Sequence, residues 1–500
     1  MLRFAVNPSS LISSGAAFPG AYVVGSDGVP LRAEIKQQDS HLCCSKRTEG
    51  PAGLALLWPV QTAGLLLLET SRLPEREAPY VLPLELARGR LMRISHKREE
   101  WGLFDFDGVE PVAEEIEKAR RLFVQALTAD TVEDQYRLAE QSLEVAIIAG
   151  EQLSHFHAEL FLTRRKQAKA FGKRVIGCMI DPTNTSEAYR KRLAGAFDFA
   201  FLPLPWREVE PKQQEFNWRL FDPWVEWLSK NRIPLRIGPL VSFHEGHVPD
   251  WLSMYETDFE AIRNLVFEHV RRVVERYGNF VHHWDVISGV HAENIFNFTF
   301  EQLMELTRVT VSLVKQLAPK AQTIIELVLP WGEYYARNQR TIPPSLYADM
   351  VVQSGVGFDG LGVQFQFGQP VDGMFVRDML QISEKLDRLG NLGKPIHVTG
   401  VQAPSSASDD PATCGGFWRK PWSDLVQSRW VKEFYTIALS KPFVESVTWL
   451  DLVDRTAAGS MPHGGLLDAK MHPKAAYKVI KDLRTEIQGL HRKPPSTRPA

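Results

Sequence analysis

The chain has 500 residues, a formal net charge of −2 at neutral pH, 44% hydrophobic and 24% charged residues. That is room for two or three domains with a large core, and ordinary composition for a globular protein. The near-neutral balance gives no electrostatic case for a nucleic-acid partner or an anionic membrane surface. No apolar run reaches the roughly 18 residues of a membrane span. Met1-Leu-Arg-Phe-Ala-Val-Asn-Pro8 lacks a charged start followed by an apolar stretch, so the expected location is the cytoplasm, with export by another route left open. The four cysteines, Cys43, Cys44, Cys178 and Cys414, have no zinc spacing and point to a reducing compartment without a disulfide framework.

Residues 1–107 read as β-rich. The apolar runs Leu54-Ala-Leu-Leu-Trp58, Leu65-Leu-Leu-Leu68 and Tyr80-Val-Leu-Pro-Leu-Glu-Leu86 are short and punctuated by Gly, Pro, Asp and Ser. This is the pattern of a small sandwich or jelly roll, either a carbohydrate-binding module or a structural cap. Residues 108–169 read as a helical connector. Pro111 suits a first helical turn, and Val112, Ile116, Ala119, Phe123 and Ala126 form one apolar stripe. Asp130 or Thr131 is the expected cap of a second helix carrying Tyr136, Leu143 and Ile147.

Residues 170–490 alternate strand and helix. Strands are expected at 174–180, 197–202, 235–241, 281–287, 323–329, 360–365, 395–401 and 446–450, with helical patterns between them. Eight such units predict an α/β fold, a (β/α)8 barrel. A doubly wound sheet is the alternative, but no Gly-rich phosphate loop follows any strand, and no cofactor is implied. The Pro-rich tail 491–500 is expected to be disordered.

Strand ends carry the chemistry in such a barrel. Trp284-Asp-Val-Ile-Ser-Gly289 and His397-Val-Thr-Gly-Val401 resemble two strands of the family 10 glycoside hydrolases, the endo-β-1,4-xylanase group. There they read W-D-V-x-N-E and T-E-x-x. Trp206, Glu210 and Pro211, Gly238 to His244, Pro249-Asp250-Trp251, Gly362-Val-Gln364-Phe-Gln366, Val447-Thr-Trp449-Leu-Asp451 and Pro473 to Tyr477 extend the resemblance over residues 170–488. By that resemblance Gly289 stands at the general acid/base position and Gly400 at the nucleophile position. Retaining hydrolysis needs two carboxyl groups about 5–5.5 Å apart, and glycine supplies neither proton donor nor nucleophile.

The resemblance implies substrate-binding positions at Trp206, Phe243, His244, Gln364, Gln366 and Trp449, an oligo- or polysaccharide partner, and lost or impaired hydrolysis. The alternative is an active β-1,4-xylan-type hydrolase with relocated carboxylates. Glu293 and Glu333 are the leading stand-ins, and Glu245, Asp451 and Asp454 are further ones; Asp285 reads as a structural partner. Trp418 and Trp422, in a Ser/Asp/Gly/Pro-rich loop over residues 402–423, suggest a binding loop. Gly289 and Gly400 are expected to leave space where carboxylates would fit. The spacings His244-Glu-Gly-His247, His155-Phe-His157 and His282-His283 do not make a metal site, and no G-x-S-x-G supports a serine nucleophile.

Overall fold

A computed structural model describes residues 1–6, 18–38, 40–104, 106–407, 414–455 and 461–490. The predicted disordered tail lies outside these residues. Eight parallel strands close into a barrel: Ile176–Met179, Phe199–Pro203, Leu235–Gly238, Val281–Ser288, Gln322–Leu327, Gly360–Gln366, Ile396–Gln402 and Val444–Trp449. Each meets its sequence neighbours, and the eighth pairs with the first (Val447 with Ile176). Helices such as Phe259–Tyr277, Phe300–Leu317, Met379–Gly390 and Asp424–Ser440 return the chain between strands. The fold is a (β/α)8 barrel, and it places the ends of the fourth and seventh strands on one face.

The first residues build two sheets. One orders Ala33–Gln38, His41–Lys46, Leu2–Ala5 and Tyr80–Val81. The other orders Phe417–Trp418, Gly64–Glu69, Ala52–Val60, Tyr22–Gly25 and Pro30–Leu31. Leu54, Leu56, Trp58, Leu66 and Leu68 bury one face of its central hairpin in the main core. Its edge strand, Phe417–Trp418, comes from the loop after the seventh barrel strand, so the N-terminal sheet and the barrel share a β-ladder.

Two expectations change here. The β-rich region ends at Val81, and Leu82–Glu100 is a helix. Pro83 occupies its first turn, Glu85 complements the amino end and Lys97 and Arg98 the carboxyl end. Leu82 to Ala87 are all buried, so the opening run shows no helical period and reads equally well as a strand; Arg90, Leu91, Ile94 and Lys97 then follow at helical spacing. The loop over residues 402–423 is not an open binding loop in its described part. Trp418 is buried and its indole donates to Glu151 (2.7 Å); Trp422 is buried and donates to the Gly416 carbonyl (2.9 Å). The Trp418 indole ties the sheet's edge strand to the helix Val132–Gln167, and the Trp422 indole closes the loop on itself.

The connector is two helices, Glu110–Leu127 and Val132–Gln167. Thr131 caps the second, its hydroxyl accepting from the Asp134 amide (3.1 Å). Arg90 pairs with the barrel's Asp378 (2.7 Å, both buried), and Arg165 donates to the carbonyls of Leu439, Lys441 and Val444. The helical layer is thus bonded into the barrel wall.

Candidate active site at the barrel mouth

The fourth strand enters the mouth with Ser288 and stops at Gly289, whose φ of +67° is left-handed and suits glycine. The amides of Ala292 and Glu293 both donate to the Gly289 carbonyl (2.9 and 2.8 Å), which folds the chain into one tight turn. That turn carries the Glu293 side chain back over the strand end. A Cβ on Gly289 would stand 3.5 Å from Glu293 Oε2 and 3.2 Å from Val328. A carboxylate from four residues downstream therefore lies against the space that a side chain at 289 would use.

Beneath it lies a carboxylate that the sequence reading passed over. Glu326 ends the fifth strand's inward run, is buried, and accepts a hydrogen bond from Ser288 Oγ. Its other oxygen is buried without a partner. The signal was present: a single acidic residue in the apolar run Thr323-Ile-Ile-Glu-Leu-Val328. Burial raises the Glu293 carboxyl, His244 opposes the rise and Glu326 adds to it. Burial, with repulsion from His244, pushes His247 down to about 4. The fourth and fifth strand ends thus present a desolvated pair of carboxyl groups with two imidazoles beside them.

The opposite wall is apolar where it matters. Gly400 lies in the seventh strand, in register with Gln364 of the sixth. A Cβ there would meet Leu450 Cδ2 at 2.7 Å and Gln364 Cγ at 3.3 Å. The expected open space is thus narrower than the two glycines suggest: Val328 and Glu293 border the first position, and the end of the Leu450 side chain has to shift at the second. Two residues past Gly400, Gln402 donates to Asp451 (2.6 Å), which also pairs with Arg455 (2.7 Å). Asp454 pairs with Lys474 (2.6 Å), while Glu245 is exposed. Below the mouth Asp285 holds Arg236 through two bonds of 2.8 and 2.6 Å. Burial raises the Asp285 carboxyl and Arg236 opposes it.

The other positions suggested by the sequence divide in two. His244 is exposed, and its Nδ1 accepts from the Gly246 amide (3.0 Å). Gln364 and Gln366 are half-buried and bonded to each other (3.3 Å). The three aromatic candidates have no free face. Trp206 is buried, stacked on His269 with centroids 4.4 Å apart, and donates to Glu210 (2.8 Å). Phe243 is buried against Phe296 and Phe298. Trp449 is buried and donates to the Gly464 carbonyl (3.1 Å). Glu333 is buried in an ion pair with Arg377 (2.7 Å), beside Tyr22 of the N-terminal sheet, and is committed to that contact. Among the described residues no group of three or more His, Cys, Asp or Glu side chains is placed to hold a metal ion, and no helix is long and apolar enough to cross a membrane.

The family profile described as Glycosyl hydrolase family 10 matches residues 165–483, the whole barrel. Endo-1,4-beta-xylanase B of Thermotoga neapolitana is 22% identical over 297 residues, covering 57% of this chain and 79% of that protein. Endo-1,4-beta-xylanase A of Caldicellulosiruptor saccharolyticus is 22% identical over 300 residues, covering 56% of this chain and 83% of that protein. Among solved structures, native xylanase 10B from Thermotoga maritima is 18% identical, with a TM-score of 0.49, over 65% of this chain and 99% of that one. With the matched segment spanning more than half of the sequence and coinciding with the closed barrel, the chain belongs to glycosyl hydrolase family 10.

Proposed function

We propose that this protein is a xylanase-like barrel that holds a β-linked glycan at its mouth with severely impaired hydrolysis. The observation that carries the reading is that the seventh strand offers Gly400 where a carboxylate is needed, with the Leu450 side chain lying 2.7 Å from where a Gly400 side chain would begin. A retaining mechanism requires a nucleophile on that wall, about 5–5.5 Å from the acid. Neither glycine nor leucine can form the glycosyl-enzyme bond or stabilise an oxocarbenium-like transition state. Binding alone does not lower the chemical barrier when it is equal in ground and transition states. His244, Gln364 and Gln366 are the groups that would hydrogen-bond the sugar, since the faces of Trp206, Phe243 and Trp449 are covered.

A second reading keeps hydrolysis and is favoured by Glu293. Its carboxyl lies against the Gly289 position and is raised by burial, as suits a general acid. Its partner would be Glu326, since Glu333 is held by Arg377.

Purified protein assayed on aryl β-xylosides and xylo-oligosaccharides distinguishes the two. The first reading expects no turnover, with calorimetric binding of xylo-oligosaccharides weakened by Gln366→Ala. Turnover that Glu293→Gln or Glu326→Gln abolishes, and Glu245→Gln does not, would replace it with the second. Absence of both turnover and binding would defeat both.

A further inference from the structure

A second concave site lies where the N-terminal sheet, the helix Leu82–Glu100 and the barrel helix Met379–Gly390 meet. It is a cavity of about 210 Å³. Its walls include Tyr22, Arg72, Arg93, Trp331, Lys385 and Arg388. Four cations (Arg72, Arg93, Lys385, Arg388) face it against two carboxylates, Glu69 and Glu384. Both carboxylates are already engaged: Glu69 takes Arg93 (2.5 Å) and Arg72 (3.4 Å), and Glu384 takes Arg93 (3.2 Å).

Lys385 and Arg388 lie one helical turn apart and therefore on the same side of their helix. Neither makes a hydrogen bond or ion pair among the described residues. Lys385 Nζ stands 5.0 Å from the centroid of the Trp331 ring, and the Trp331 indole N–H is buried without a partner. The wall thus combines an excess of positive charge with two cations that, among the described residues, make no direct ion pair or hydrogen bond. These are the groups that phosphate and carboxylate oxygens satisfy.

We propose that this cavity is a binding site for an oxyanion, the phosphate or carboxylate of a compound no larger than a monosaccharide, held by Lys385 and Arg388. Burial, with repulsion from Arg388 and Arg377, pushes the Lys385 ammonium down to about 7, against the pull of Glu69 and Glu333. An anion between Lys385 and Arg388 reverses that balance and draws a proton onto the lysine. Binding above pH 7 is then coupled to proton uptake. Phosphate and an acidic sugar share this recognition chemistry, and the geometry of two cations on one turn serves either.

The test is calorimetry on the full chain at pH 8, with inorganic phosphate and glucuronate titrated separately, each in two buffers of different ionisation enthalpy. Saturable binding of either probe is expected, with proton uptake, weakened at least tenfold by Lys385→Met and by Arg388→Met. Saturation by phosphate alone assigns a free-phosphate site; saturation by glucuronate assigns an acidic sugar. Thermal melts check that Lys385→Met folds. Arg388 is exposed, so Arg388→Met carries the test if Lys385→Met does not fold. No saturable binding of either probe, or binding unchanged in the folded variants, overturns the proposal.

Discussion

Gly400 is the residue on which the seventh-strand wall turns. Its backbone is not in the left-handed region, so glycine is not required there for conformational reasons. What a side chain meets there is the end of Leu450 at 2.7 Å, which has to turn aside. Inserting a side chain into a filled site costs about 1–3 kcal/mol in shifted neighbours. Gly400→Glu adds a carboxylate to an apolar contact and should reach or exceed the upper end of that range in urea unfolding. Leu450→Ala in the same chain should recover much of the loss by opening the space. A Gly400→Glu protein as stable as the parent would mean that Leu450 moves aside freely. At Gly289 the obstacle is different, because a positive φ strains any L side chain whatever the space. The sequence shows two glycines that look alike; the structure separates them, one held by backbone conformation and one by a leucine fifty positions away.

At the level of elements, the eight barrel strands were legible because each is a short apolar run followed by an amphipathic helix, a repeat that few folds share. The Leu82–Glu100 helix was not, because its opening apolar run has no decisive period and Pro83 reads as an interruption until it is placed in a first turn. Glu326 was missed for a related reason: one acidic residue inside a buried run carries no motif. Trp418 was misread because its partners, Glu151 and the hairpin at Gly64, are remote in sequence, and Trp422 because its indole turns back onto the loop's own Gly416 carbonyl. Gly64, with φ of +110°, lies so close to the edge strand that a Cβ would come within 2.2 Å of the Phe417 carbonyl oxygen. Gly64→Ala must therefore separate the strand from the sheet or shift both. The expected outcome is faster tryptic cleavage after Arg419, together with a lower Tm, while the far-ultraviolet circular dichroism of the barrel persists. Unchanged cleavage would show that the shared ladder is dispensable for holding this loop.

Across the whole molecule, buried or half-buried histidines recur in the connector and in the barrel. His157 of the connector stacks on Trp101 with centroids 4.2 Å apart, His269 lies under Trp206, and His283 meets His397 within the barrel (5.6 Å). Burial pushes His157, His269 and His283 down to about 3. An unfolded histidine titrates near pH 6.5, so between about 3 and 6.5 the unfolded chain binds protons that the native chain refuses. Stability from each site is therefore complete above pH 6.5 and is lost progressively as pH falls, by about 1.4 kcal/mol per unit for each fully excluded proton. Raised carboxyls such as Asp285 and Glu293 act in the opposite sense, so a whole-protein acid curve mixes the two. A difference measurement isolates one group. His269 is fully buried, and His269→Leu removes its titration while keeping an apolar partner for Trp206. The stability gap between parent and variant should be constant above pH 6.5. Below it, urea midpoints taken at half-unit steps should show the parent losing ground to the variant with that slope down to about pH 4. Parallel curves through the same interval would mean that the native fold accepts a charged imidazole under Trp206, and that this part of the barrel rim is wetter than its packing indicates.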